Sequence, residues 1–284
     1  MKKYIAFAST LMLAATAILF LDSCKKEEPD TETVSATDNA ICEAEFTRLM
    51  PDVNGIAVNE EGTHNRVSLG NSVLSTCYTL SWSGDTALAV PGVTGHMFVD
   101  FGTTGTCQSP DGKTRKGMIE VIFDDGWRTI GSTDTIKLTN FQVNSGNGDV
   151  QYDGTVAVTW TDSFTYNYKV MGGKCTKGTA WTVLWDCDRT MKWVAGANDS
   201  IASNDVFQMW GTANGTNRES KTFTVDVTMS DCIVRRADCR YIVAGRLTLT
   251  PEGKNARTVD FGDGTCDDKA NLIINGNSFE FTLQ

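Results

Sequence analysis

The chain has 284 residues and carries 25 Lys and Arg against 35 Asp and Glu, a formal net charge of −10. That balance argues against nucleic acid as a partner, because binding a phosphate backbone relies on clustered Lys and Arg. Nine cysteines beside only two histidines favour disulfides in an exported protein over a Cys/His zinc site.

The N-terminus begins Met1-Lys2-Lys3 and runs apolar from Tyr4 to Leu21 before "LDSC". A basic start, an apolar stretch and a small residue before a cut form a secretory signal. A membrane-spanning helix is the alternative, but the run sits near the lower limit of about 17 residues, and Cys24 falls where cleavage belongs. Leu21-Asp22-Ser23-Cys24 resembles the lipobox of bacterial lipoproteins. The resemblance implies that residues 1–23 are removed and that Cys24 is diacylated, anchoring the chain to a membrane without spanning it. Losing Lys2, Lys3 and Asp22 makes the chain one unit more acidic.

Residues 24–40, charged and rich in Thr, Ser and Ala, read as a flexible tether. Lys26-Glu27-Glu28, directly behind the cysteine, resembles the export signal of surface lipoproteins in Bacteroidota. It implies an outer-membrane protein facing the cell surface, with the periplasmic face as the alternative. The one helix expected spans 39–50, "NAICEAEFTRLM", and Pro51 stops it.

From residue 75 onward, short β-branched and aromatic runs alternate with Gly, Asn and Asp turns. "MIEVIF" (118–123), "TIKLTNFQV" (135–143), "TVAVTW" (155–160), "FTYNYKV" (164–170) and "KTFTVDVT" (221–228) alternate apolar and polar residues, as half-buried antiparallel strands do. The expected fold is all-β: an antiparallel sandwich or curled sheet, since long sheets need protected edges.

Two segments share one grammar. "VDFGTTGTC" (99–107) and "VDFGDGTC" (259–266) each lie downstream of a cysteine-led strand, at Cys77 and Cys239. Each is followed by an alternating strand, "KGMIEV" from Lys116 and "KANLII" from Lys269. The duplication suggests two lobes, 41–171 and 172–284, parting near Gly172-Gly173. With Cys24 assigned to lipid, eight cysteines remain, and eight allow 105 pairings. The repeat selects Cys77–Cys107 and Cys239–Cys266, each closing a loop that contributes roughly 3 kcal/mol. Cys42, Cys175, Cys187 and Cys232 stay open to three pairings.

The most chemical-looking stretch is "VDFGDGTCDD" (259–268). As a kinase signature it lacks its glycine-rich and catalytic loops. As an EF-hand it lacks the alternating acids and the distal glutamate. The first copy keeps Asp100 but carries Thr103 and Thr104 in its turn, so what the copies share is a strand, a turn and a cysteine. Asp260, Asp263, Asp267 and Asp268 remain a calcium candidate, and no other cofactor is expected.

A Ser-His-Asp triad would have to use His64 or His96, and no G-x-S-x-G elbow occurs; an enzyme is not the expectation. A pair of carboxylates of the glycosidase kind keeps a hydrolase as a distant alternative. Trp181 and Trp185 share one face of "WTVLW", with Trp193 eight residues beyond Trp185. They are either core or an exposed platform for stacking sugars or a protein partner.

"LDSCKKEE", residues 100–117, "WGTANGTNRESKTFTV" (210–225) and residues 257–283 together resemble the Cys-containing, all-β lipoproteins of Bacteroidota. The resemblance covers most of the chain behind Cys24 and implies a lipid-anchored envelope protein, with no catalytic residues to carry over. The expected function is a non-catalytic binding or structural module. A glycan-capture lipoprotein of a nutrient-uptake system is the alternative, and a secreted hydrolase comes third.

Overall fold

The computed structural model describes residues 30–60, 77–84, 92–109, 111–197 and 201–283. The apolar run 4–21, Cys24 and His64 lie outside the described residues. Contacts divide the chain into Met1–Thr31 and Glu32–Gln284, and every element below belongs to the second unit.

Two helices come first, α1 (Val34–Phe46) and α2 (Leu49–Glu60). They precede β1 (Thr79–Gly84), β2 (Gly95–Asp100), β3 (Cys107–Gln108), β4 (Thr114–Phe123) and β5 (Thr133–Asn144). Next are β6 (Asp149–Trp160), β7 (Thr165–Lys177), β8 (Trp181–Ala195), β9 (Val206–Thr216) and β10 (Thr222–Val227). The chain closes with β11 (Ile233–Arg236), β12 (Ile242–Pro251), β13 (Arg257–Asp263), β14 (Lys269–Ile274) and β15 (Asn277–Thr282).

All strands join one antiparallel sheet whose order follows the chain, with β1 at one edge and β15 at the other. Most strands between the two edges alternate between a buried and a solvent-facing side. In β8, for example, Val183, Trp185, Cys187, Arg189, Met191 and Trp193 point inward. A sheet this wide curls rather than staying flat. Register shifts at Lys116/Met118, Asp153/Thr155, Val170/Gly173 and Ala244/Arg246 supply local bends.

What the curl encloses is α1. Its polar and apolar residues alike are buried, among them Ser35, Ala36, Asp38, Asn39, Glu43, Glu45 and Phe46. Side chains from both halves of the sheet reach it. Lys113 and Arg115, at the start of β4, face Glu45, and Arg189 of β8 pairs with Glu43. Arg218, in the β9–β10 turn, holds Asp38, and Arg235 of β11 bonds Thr47 and the Ala44 carbonyl. Cys42 is bonded to Cys175 of β7, and the Tyr168 hydroxyl donates to the Phe46 carbonyl.

Local chemistry sets the helix ends. The Ser35 N–H donates to the Glu32 carboxylate at 2.7 Å, and Glu32 in turn pairs with Arg257 at 3.0 Å. A carboxylate at this end suits the orphan N–H groups of a first turn. At the other end the Thr47 hydroxyl donates to the Glu43 carbonyl, which closes α1.

Three expectations need correction here. Residues 34–40 are helical and, apart from the half-buried Val34 and Thr37, buried, not tether. Their polar side chains suggested solvent, but each one named above has a partner on the sheet. Pro51 does not stop a helix either. It is the third residue of α2, in the first turn, where a missing N–H costs nothing. Finally, no boundary falls at Gly172-Gly173. β7 runs through both glycines, with only a bulge against β8, and Glu32–Gln284 is one unit.

The duplicated grammar survives as geometry within that unit. β2 lies between β1 and β4, and β13 lies between β12 and β14. In each copy the motif aspartate accepts from the N–H two residues on, Asp100 from Gly102 at 2.8 Å and Asp260 from Gly262 at 2.9 Å. The copies are fastened by Cys77–Cys107 and Cys239–Cys266, with sequence separations of 30 and 27. Cys187 and Cys232 are free thiols.

Candidate functional site

The tryptophans do not form an exposed platform. Trp185 is 1% exposed and Trp193 3% exposed, both on the concave face of β8. The Trp185 indole stacks on Phe46, with centroids 5.6 Å apart, and its N–H donates to Asn39 Oδ1 at 2.8 Å. Trp193 stacks on Phe207 and lies under the Arg128 guanidinium, which also covers Trp160. Trp181 is half-buried beneath Arg218 at 4.7 Å. Period-2 alternation correctly places Trp185 and Trp193 on one face. The sequence carried no sign that a helix covers it.

The aspartates of "VDFGDGTCDD" serve local turns. Asp260 Oδ2 pairs with Arg246 at 2.7 Å, Asp263 accepts from the Thr265 N–H and hydroxyl, and Asp267 accepts from the Lys269 N–H. No interaction brings Asp268 into this set through its side chain; its carbonyl accepts from the Leu283 N–H. Among the described residues, no three His, Cys, Asp or Glu side chains come together as metal ligands. His96 contacts Glu120 at 2.7 Å on the opposite side of the sheet from the core.

Two groups of buried titratable side chains went unread in the sequence. Around the α1–α2 junction, Glu45, Lys113, Arg115, Asp111, Arg48 and Asp52 interlock. Burial raises the Glu45 carboxyl, but Lys113, Arg115 and Arg48 outweigh it and bring it down to about 2. Asp52 goes the other way: burial pushes it up to about 6 despite Arg48. The second group is Asp134 of β5, 0% exposed beside the Trp160 indole. Burial pushes its carboxyl up to about 8, with Trp160 opposing the rise and Asp124 adding to it. Such shifts mark functional sites in some proteins and structural networks in others. Cavities beside these charges decide between the two. Those lined by Arg48 and Asp52, and by Glu45 and Lys113, hold about 10 Å³ each, no more than one water. The junction charges hold the helices in place.

A concavity large enough for a ligand lies on the solvent face. β10 and β11 form two halves of one rung between β9 and β12. Between them residues 228–232 leave the sheet through a single 3₁₀ turn, Met229–Asp231, with Met229 66% exposed. This excursion walls a groove of about 390 Å³ over the outward faces of β10, β12, β13 and β14. Asp226, Thr228, Asp231, Arg246, Thr248 and Thr258 line it. Its volume falls within the range of about 300–1,000 Å³ typical of small-molecule sites.

No protein-family model, curated protein or solved structure matches this chain.

Proposed function

We propose that the protein is a lipid-anchored component of the cell envelope, attached to the outer membrane through diacylated Cys24, and that its body is a non-catalytic binding or structural module. One observation carries the second half of this reading. The curl of the sheet is filled by α1, which is held by ion pairs and by Cys42–Cys175, so the body meets partners on a rigid outer face. Three disulfides support an oxidising compartment, since such bonds persist outside the cytosol. "LDSC" supports acylation, and an excess of acidic residues keeps the body off anionic lipid.

The test is metabolic labelling with an alkyne-tagged fatty acid in a Gram-negative host, followed by membrane fractionation. The full chain should label and sediment with membranes, and Cys24→Ala should lose the label and retain the longer precursor. An unlabelled, soluble wild-type chain would refute the anchored reading. Protease added to intact cells then separates the cell surface from the periplasmic face.

A further inference from the structure

We infer that the groove beneath the 228–232 excursion binds a neutral, hydroxyl-rich small molecule of the mono- or disaccharide class. The inference rests on the reading of the body as a binding module and names its site and ligand chemistry.

The groove is built into the fold. For the chain to leave the sheet at 228–232, the neighbouring strand must pass close beneath it. Gly245 of β12 does so at φ +99°, where a Cβ would stand 2.2 Å from the Cys232 carbonyl oxygen. Only glycine fits there. The register of β12 against β13 shifts at the same place, between Ala244 and Arg246, with the extra residue on β13, while the alternation of β12 keeps Arg246 and Thr248 outward and Leu247 and Leu249 buried. Bulges of this kind recur beside binding sites.

The lining mixes donors and acceptors. Asp260 holds the Arg246 side chain through Nε at 2.7 Å, which leaves the terminal guanidinium nitrogens of a 60% exposed side chain for other partners. Asp226 is an exposed carboxylate with no bond of its own, and Asp231 accepts from the Thr228 hydroxyl at 3.0 Å. Thr248 and Thr258 add hydroxyls, and Ile273 supplies an apolar floor.

Charge then selects the ligand. Asp226, Asp231 and Asp260 repel a carboxylate or phosphate brought to Arg246. A compact cation brought to Asp226 or Asp231 shares the groove with the Arg246 guanidinium, which lies two residues along the outward face of β12 from Thr248, the register partner of Asp226. A neutral polyol escapes both penalties. Adjacent hydroxyls donate to a carboxylate such as Asp226, and hydroxyl or ring oxygens accept from Arg246.

Saturation-transfer NMR on the full chain in a non-glycosidic detergent tests this. The probes are methyl α-glucoside, methyl α-mannoside, cellobiose and lactose, with glucuronate and glucosamine as charged comparators. At least one neutral sugar should saturate in preference to both comparators. Its dissociation constant should rise at least tenfold in Asp226→Asn and in Arg246→Ala. The near-isosteric Asp226→Asn keeps the test valid should Arg246→Ala disturb the Asp260 turn. Neutral-sugar binding unchanged in both variants overturns the groove assignment while leaving a binding module. Silence from every neutral sugar, or a preference for a charged comparator, overturns the ligand class. Neither result touches the acylation of Cys24, which is read separately.

Discussion

Glu43 and Arg189 test the idea that ion pairs hold α1 inside the sheet. Both side chains are 0% exposed. Arg189 Nη2 donates to the two carboxylate oxygens of Glu43 at 2.9 and 2.8 Å, and Asn39 adds a bond to Oε2 at 3.3 Å. Glu43→Gln keeps the shape and removes the charge, which leaves a buried guanidinium facing the Gly211 carbonyl as its other partner. Breaking one side of such a pair costs about 3–5 kcal/mol. For a unit of this size, at roughly 2–4 °C per kcal/mol, the midpoint of thermal unfolding should fall by about 10 °C. Replacing both partners by apolar residues of similar volume, Glu43→Leu with Arg189→Met, should recover most of that loss. Urea unfolding with the disulfides intact, followed by tryptophan fluorescence, measures the single variants and the double variant as a cycle. A cost below about 1 kcal/mol for Glu43→Gln, or a double variant as unstable as the sum of its singles, would refute the reasoning.

Trp185→Ala should cost about 3–5 kcal/mol, because it opens a cavity beside Phe46 and leaves Asn39 Oδ1 without its indole donor; a variant of wild-type stability in urea would contradict its place in the core. Asp134 should make stability fall as pH rises. Burial pushes its carboxyl in the folded chain up to about 8, from an ordinary 3.8, so the folded chain holds the proton across that window and loses its advantage as pH climbs toward 8. Relative to Asp134→Asn, wild-type stability should drop between pH 4 and pH 8, at up to about 1.4 kcal/mol per unit; parallel profiles for the two would rule this out. Iodoacetamide on the native chain should modify Cys232, which is half-buried, and spare Cys187, whose thiol burial pushes up to about 12. Peptide mapping should find Cys187 labelled only after unfolding, and rapid labelling of the native chain would show the site to be open.

The strands could be read from the sequence because alternation survives wherever one face is wet, as in "TVAVTW" and "KTFTVDVT". The repeat could be read because its turns use the same Asx chemistry at Asp100 and Asp260. The helix start could not. An amphipathic pattern needs its polar residues on the wet side, and on α1 the partly exposed stripe is Val34, Thr37 and Ala44, while Asp38, Asn39 and Glu43 look solvated until Arg218, Trp185 and Arg189 are placed opposite them. Those partners lie 146 to 180 residues away, beyond any local window. The groove was hidden for a related reason. Asp226, Asp231, Arg246 and Thr258 come from separate strands and one turn, and nothing in their spacing brings them together before the register is known.

The order in which the chain emerges conflicts with the order in which α1 finds its partners. The helix is synthesised early, yet Glu32 waits for Arg257, 225 residues later. Cys42 likewise waits for Cys175, at a separation of 133, while Cys77 passes first. Contacts this distant form slowly, and a thiolate reacts with whichever accessible partner it meets. Oxidation in order of emergence joins Cys42 to Cys77. Reaching the native set from such a pair requires thiol–disulfide exchange.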